Sequence, residues 1–258
     1  MNIVFLGTTR FSKEILSSLF EHSFKVKLIF SIPRKFSIPY SKAKVTNYNF
    51  SDIPAFARKH KIRHFEINSQ KGRRLSDHEE EIRRCKPDVI IVAGWYFLVP
   101  ERIRKLAKYG AWGLHASLLP KYAGSAPLIW AMIKGEKKTG VTLFRMNNEM
   151  DSGDIIAQGP VSIGHSDTIK EVYDKATAVS RGLLVKTLKN IKNIKYRKQT
   201  VKKSAVYPPR KPDDGEIDLS RSALEIYNFI RAQSFPYPGA FIRTADGKKL
   251  IIEKSRIE

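Results

Sequence analysis

The sequence predicts an α/β protein: an open, mainly parallel twisted sheet with helices on both faces, followed by a small C-terminal α+β extension. Three observations carry that expectation. Short apolar runs rich in branched residues, NIVFL at 2–6 and KVKLIFSI at 25–32, alternate with segments of helical period. PDVIIVAGW at 87–95 is apolar without alternation, the pattern of a strand buried on both faces. With 42% hydrophobic residues in 258, the chain can bury a real core.

The elements follow in order. NIVFL is a strand, GTTR a turn, and FSKEILSSLFEHS a helix whose Phe11, Ile15, Leu16 and Leu19 recur at helical spacing. KVKLIFSI is a second strand. The two prolines and many basic residues of 32–47 read as an exposed loop. DIPAFARKHKI is a helix capped by Ser51 or Asp52 with Pro54 in its first turn. HFEIN is a short strand, 71–85 a charged helix, 100–108 the next helix, and AWGLHAS at 111–117 a strand leading into a loop. APLIWAMIKG is helical, while TGVTLFRM and DIIAQGPVSI extend the sheet as an antiparallel pair. The segment 167–191 is a long amphipathic helix with Asp167 as its N-cap.

The run 189–204 is strongly basic and reads either as a solvated linker or as a phosphate-binding patch. The proline- and glycine-rich passage after it divides the chain into a catalytic unit, 1–205, and an extension, 206–258. In the extension, SALEIYNFIRAQ is a helix and GAFIRTADGKKLIIE a hairpin turning at Asp246-Gly247.

The formal charge of +22, from 47 Lys plus Arg against 25 Asp plus Glu, favours polyanionic or phosphate-bearing partners without naming a reaction. The single cysteine, Cys85, and the absence of a long apolar segment place the expected protein in the cytoplasm, away from membranes. Six scattered histidines suggest no metal site. The GTTR turn lacks the Gly-x-Gly-x-x-Gly pattern of a dinucleotide site. By itself His115 is an ordinary histidine near apolar neighbours, and Asp151-Ser152-Gly153-Asp154 an ordinary acidic turn. What raises their interest is position, since ligands of open α/β sheets gather at the carboxyl ends of the strands, where His115 falls.

Taken together, HASLLPKYAGSAPLIWAMIKGEKKTGVTLFRMNNEMDSGDIIAQ at 115–158 closely resembles the signature of the folate-dependent formyltransferases. MNIVFLGTTRFS, PDVIIVAGWYFLVPERI and the passages YPPRKPDDGEIDLS and IRAQSFPYPGAF extend the resemblance over essentially the whole chain. They point to the branch that formylates methionyl-tRNA or amino sugars on nucleotide carriers. The resemblance implies a Rossmann-like sheet and attack of a primary amine on the formyl carbon of 10-formyltetrahydrofolate, giving a tetrahedral centre with charge on oxygen and an extra proton on nitrogen. It implies that His115 donates to the oxyanion or transfers a proton, and that Asp151 orients the imidazole. Main chain at Phe97, Leu98 and Val99 and the loop holding Met150, Asp151 and Asp154 would meet the pterin. Thr8, Thr9, Arg34, Gly124 and Ser125 would meet the acceptor.

One departure stands out. The family places Asn two residues before the histidine, and this chain has Gly113. Loss of one oxyanion donor costs about 10²- to 10³-fold in turnover. Restoring Asn at 113 is therefore expected to raise transfer steeply, and the departure keeps open formylfolate hydrolysis or a weak folate- or nucleotide-sugar-binding protein. Only about two strands follow PYPGAF, short of a β-barrel. The expectation thus favours a nucleotide-linked amino sugar as partner, with tRNA second, and is compatible with a homodimer.

Overall fold

The computed structural model describes residues 1–37, 44–68, 73–200 and 206–258. β1 (Asn2–Leu6) sends Ile3 and Phe5 into one core cluster and Val4 and Leu6 into another, all four fully buried. NIVFL is apolar throughout because both sides of it are covered. α1 (Arg10–Glu21) starts in a reciprocal cap between Thr9 and Ser12. β2 (Lys25–Ser31) follows.

Of the loop expected at 32–47, residues 38–43 lie outside the described residues, and the rest holds two short strands. β3 (Lys35–Phe36) and β4 (Val45–Thr46) pair antiparallel. Phe36 is buried, with ring centroids 4.9 Å from Tyr96 and 5.7 Å from Phe97. One aromatic anchor and Asn47, which donates to the Thr8 carbonyl and accepts from the Tyr96 hydroxyl, hold this basic segment over the residues that follow β1 and the later strand ending at Val92.

α2 (Ile53–Lys59) is capped by Asp52, whose Oδ1 accepts the Ala55 N–H at 2.8 Å, and β5 (Arg63–Glu66) follows. The charged helix expected at 71–85 begins as a 3₁₀ turn, Leu75–His78, and continues as α3 (Glu79–Arg84); its first two positions lie outside the described residues. β6 (Val89–Val92) is wholly buried. The helix expected at 100–108 is only one turn, α4 (Glu101–Arg104); beyond it the Lys108 and Tyr109 N–H groups donate to the Pro87 and Asp88 carbonyls, and the Arg104 side chain donates to the Val99 and Met146 carbonyls.

β7 (Ala111–His115), β8 (Ala123–Gly124), α5 (Pro127–Ile133), β9 (Lys138–Arg145) and β10 (Ile155–Ser162) come next. α6 (Ile169–Lys189) is capped by Thr168, one residue later than expected, in a reciprocal box with Glu171. The Asp167 carboxylate caps no helix N–H; it accepts from the Gly164 N–H and from the ammonium of Lys175 on α6, each at 2.6 Å. β11 (Val206–Tyr207), α7 (Ala223–Gln233, capped by Ser222) and the hairpin of β12 (Ala240–Arg243) and β13 (Lys249–Ile252) form the extension.

Among the described residues the main sheet has seven strands in the order β10-β9-β7-β6-β1-β2-β5. The five from β5 to β7 are parallel, and β9 and β10 join antiparallel, as the sequence predicts. From β1 the chain runs outward to β2 and β5, then crosses back to lay down β6 and β7. The order therefore reverses between β1 and β6, the place where open α/β sheets bind ligands beyond the strands' carboxyl ends. α1, α2 and α6 supply one core with Leu16, Phe56 and Leu184; α3 and α4 supply the other with Ile82 and Ile103.

The extension shares the body's core. Ala232 of α7 packs in one cluster with Leu128 and Met132 of α5 and Val172 of α6, and β11 pairs in parallel with β8. No helix among the described residues is long and apolar enough to cross a membrane.

Burial works against the Asp167 charge, but Lys175 and the Gly164 N–H outweigh it and hold the carboxyl below its ordinary range. A carboxylate with a depressed folded-state pKa contributes stability above its unfolded pKa, and that contribution is lost as pH falls through the folded value. Asp167→Asn should be less stable than wild type at neutral pH in urea denaturation, with the gap closing as pH drops below about 4. A gap independent of pH would contradict this role.

Candidate active site

His115 is the last residue of β7. Alternation puts it on the same face as Gly113, and across the ladder Gly113 faces Phe144 while His115 faces Thr142. The imidazole is buried, 8% exposed, with a partner at each nitrogen: Nε2 lies 2.8 Å from the Tyr122 carbonyl and Nδ1 lies 3.5 Å from Asp151 Oδ2. A carbonyl oxygen can only accept, so Nε2 carries the hydrogen. Nδ1 then faces the carboxylate across a gap longer than a normal hydrogen bond.

The loop after β7 must double back to bring the Tyr122 carbonyl beneath the ring. Thr142 Oγ1 donates to the Ser117 carbonyl at 2.6 Å and accepts the Leu119 N–H at 3.0 Å. Ser117 Oγ donates to the Lys121 carbonyl at 2.6 Å, and Gln158 Nε2 donates to the Leu119 carbonyl at 2.9 Å. β11 then clamps the loop from outside, with the Tyr207 and Tyr122 rings stacked at 5.0 Å.

Asp151 is fixed as firmly. Its backbone is left-handed, φ 51°, and Oδ2 also accepts the Gly124 N–H at 2.8 Å. Gln199 Nε2 donates to the carbonyls of Asp151 (3.0 Å) and Gly153 (2.6 Å). Gly153 must be glycine, since a Cβ there would fall 1.7 Å from the Arg145 carbonyl oxygen. Arg197 bridges to Ile155 through both backbone groups, and its guanidinium donates to Gln158 Oε1 at 2.6 Å. The basic run after α6 is therefore docked on the acidic loop as far as Gln199; 201–204 lie outside the described residues. Gln199 and Arg197 carried no signal in the sequence, where they sit in a lysine-rich stretch.

The residues expected to meet a pterin fall on two segments. Val99 is buried, Leu98 is 70% and Met150 50% exposed, and the Phe97 ring lies 6.0 Å from Trp95. Asp154 closes the loop through its carbonyl, which accepts the Arg145 N–H at 2.8 Å. Arg104, also missed by sequence reading, joins the two segments by donating to Val99 and Met146. Leu98 and Met150 thus present apolar surface to solvent, while the Val99, Asp151 and Asp154 carbonyls are engaged within the chain.

The residues expected to meet an acceptor divide. Gly124 and Ser125 lie in the loop facing Asp151, Ser125 donating to the Tyr207 carbonyl at 2.9 Å. Thr8 is fully buried with its hydroxyl on the Ile32 carbonyl, and Thr9 is committed to the α1 cap. Arg34 is exposed beside the β3–β4 ladder.

Gly113 is explained by its neighbour. A Cβ there would lie 2.6 Å from Phe144 Cε1 and 2.8 Å from Cζ, and the Phe144 ring is itself only 3% exposed, among Leu119, Ala123 and Ile155. The space that a side chain at 113 would need is filled by an aromatic ring.

A strand-end imidazole facing a carboxylate, at the carboxyl ends of the strands of a doubly wound sheet, is an arrangement suited to group transfer. The chain belongs to the formyl transferase family, enzymes of folate-dependent formyl transfer: residues 1–188 match the model of that family and 210–258 match that of the formyl transferase C-terminal domain. It is 34% identical over 261 aligned residues to the methionyl-tRNA formyltransferase of Caldicellulosiruptor saccharolyticus, covering 100% of this chain and 80% of that protein. In fold it resembles a 4-N formyltransferase from Francisella tularensis, with a TM-score of 0.72 at 18% identity over 99% of this chain and 98% of the other. It also resembles the N-formyltransferase of Helicobacter canadensis in complex with folinic acid and dTDP-3-aminofucose, with a TM-score of 0.66 at 21% identity over 89% and 79%.

The Phe144 ring adds a condition to the expectation for position 113. Gly113→Asn alone should destabilise the protein by about 1–3 kcal/mol through overpacking and should fail to raise activity. Combined with Phe144→Ala, the asparagine should cost markedly less than it does alone, as read from a denaturation double-mutant cycle. Additive effects of the two substitutions would contradict the contact.

Proposed function

We propose that this chain is an N-formyltransferase that moves the formyl group of 10-formyltetrahydrofolate to the primary amine of a nucleotide-linked amino sugar. The His115–Asp151 pair carries this reading. When bound, the folate supplies an activated formyl carbon; Leu98, Met150 and Phe97 with the main chain around them would hold its ring system. Attack by the amine forms a bond to the formyl carbon and leaves a proton to be removed; the bond from that carbon to the folate N10 then breaks, and N10 takes up the proton as tetrahydrofolate leaves. With Nε2–H engaged by the Tyr122 carbonyl, the geometry supports Nδ1 as the atom that takes the proton from the amine, because protonation there turns a lone pair facing a carboxylate into an ion pair. Asp151, fixed by the Gly124 N–H, sets the ring's angle and balances the charge.

Of the two roles open to His115, proton transfer is thus better supported than donation to an oxyanion. The Phe144 ring excludes a side-chain donor at 113, so the developing negative charge is met by a backbone group or water.

The acceptor reading is supported by the nucleotide amino sugar bound to the Helicobacter canadensis enzyme. A second reading, transfer to methionyl-tRNA, is favoured by the whole-chain identity to the Caldicellulosiruptor enzyme and by the charge of +22.

Incubating the chain with 10-formyltetrahydrofolate and a panel of nucleotide amino sugars and aminoacylated tRNA, with mass spectrometry for the formyl gain, tests both. The sugar nucleotides should be formylated, and His115→Ala should slow the reaction by about 10²- to 10⁴-fold. Formylation of tRNA alone would establish the second reading. No formylated product, or full activity without the imidazole, would overturn the assignment.

A further inference from the structure

Beside the first turn of the chain, between α1 and α6, a half-open concavity of about 340 Å³ is lined by Arg10, Phe11, Asn49, Tyr173, Arg181 and Phe235. Its charges are unevenly matched. Arg181 is answered by Glu14 at 3.4 Å and Glu21 at 2.6 Å, and Lys170 by Asp174 at 2.8 Å. Arg10 is exposed and makes no ion pair among the described residues, so it is the free cation of this hollow. The Asn49 side-chain amide, which carries both donors and an acceptor, likewise makes no hydrogen bond among the described residues. Phe235 stands at the rim with 63% of its surface exposed.

The hollow and the site already described border the same core cluster. The Tyr173 hydroxyl meets the Tyr237 hydroxyl at 2.9 Å, and Tyr237 packs in the same cluster as Tyr122, whose carbonyl holds His115. Phe235 and Tyr237 come from the extension, so two parts of the chain build this wall together.

We infer that this hollow is a nucleotide-binding pocket, holding the base against Phe235 and Phe11 with its edge read by Asn49, and a phosphate at Arg10. An exposed aromatic face, an unengaged amide and one uncompensated guanidinium are what a base followed by a phosphate requires. The volume suits one nucleotide. This rests on the reading that the formyl acceptor carries a nucleotide, and it names where that nucleotide sits. The same chemistry is presented by a nucleotide-linked sugar and by the terminal nucleotide of an RNA.

The test is calorimetric titration of the full chain with dTDP, UDP and AMP, and with deacylated tRNA at fixed salt, using wild type, Arg10→Gln and Phe235→Ala. Both residues are exposed, and unchanged melting temperatures confirm that the variants fold. At least one free nucleotide should bind, each variant should weaken it tenfold or more, and in the transfer assay the loss should fall on the acceptor's KM rather than on kcat. Competition by dTDP or UDP would identify the sugar nucleotide as the source; competition by AMP together with weakened tRNA binding would identify the RNA terminus. Equal affinity in all three proteins, or no nucleotide binding at all, would overturn the pocket. Formyl transfer that proceeds with unaltered KM in both variants removes the pocket alone, whereas nucleotide binding without any formylated amine removes the acceptor reading instead.

Discussion

A buried imidazole wedged between a backbone carbonyl and a carboxylate is the constraint that organises this molecule. Neither partner of His115 is near it by default: Tyr122 is seven residues on and Asp151 far beyond, so two loops must be bent back to one strand end. The hydrogen bonds of Thr142, Ser117 and Gln158 bend the first, and those of Gln199 with the close approach at Gly153 bend the second. The Gly124 N–H, donating to Asp151, locks one loop to the other. Even the parallel pairing of β11 with β8 serves this end, because it holds the Tyr122 loop down from the extension's side. The extension therefore acts as a clamp on the site as well as an appendage to the body.

The fold was legible where periodicity and burial agree. NIVFL and VIIV could only be strands covered on both faces, and the antiparallel pair at 139–163 followed from its composition. It was less legible where a single tertiary contact overrides local pattern. Phe36 packs a proline-rich basic segment against Tyr96 and Phe97, the Lys108 and Tyr109 N–H groups leave α4 for the Pro87 and Asp88 carbonyls, and Asp167 yields the cap of α6 to Thr168 while Lys175 claims its carboxylate.

The site shows the same division. His115, Asp151 and the apolar segment at 97–99 were marked by a long resemblance, and the structure brings the first two within 3.5 Å. Gln199, Arg197 and Arg104 carried no mark, since each acts through a bond to a backbone or side-chain oxygen that only the folded chain brings near. Gly113 is the sharpest case. In one dimension it reads as a missing amide, whereas in three it is half of a pair with Phe144: the strand opposite has grown a ring into the space, and neither residue can change freely without the other.

The central claim is that the fold fixes one tautomer of His115, with hydrogen on Nε2 and a proton-accepting Nδ1 turned to Asp151. Nitrogen-15 NMR of the imidazole in the full chain, at a pH where the ring is neutral, measures this directly. The account predicts a protonated Nε2 whose hydrogen is protected by the Tyr122 carbonyl, and an unprotonated Nδ1. A neutral ring with its hydrogen on Nδ1, or one that averages rapidly between both forms, would contradict it.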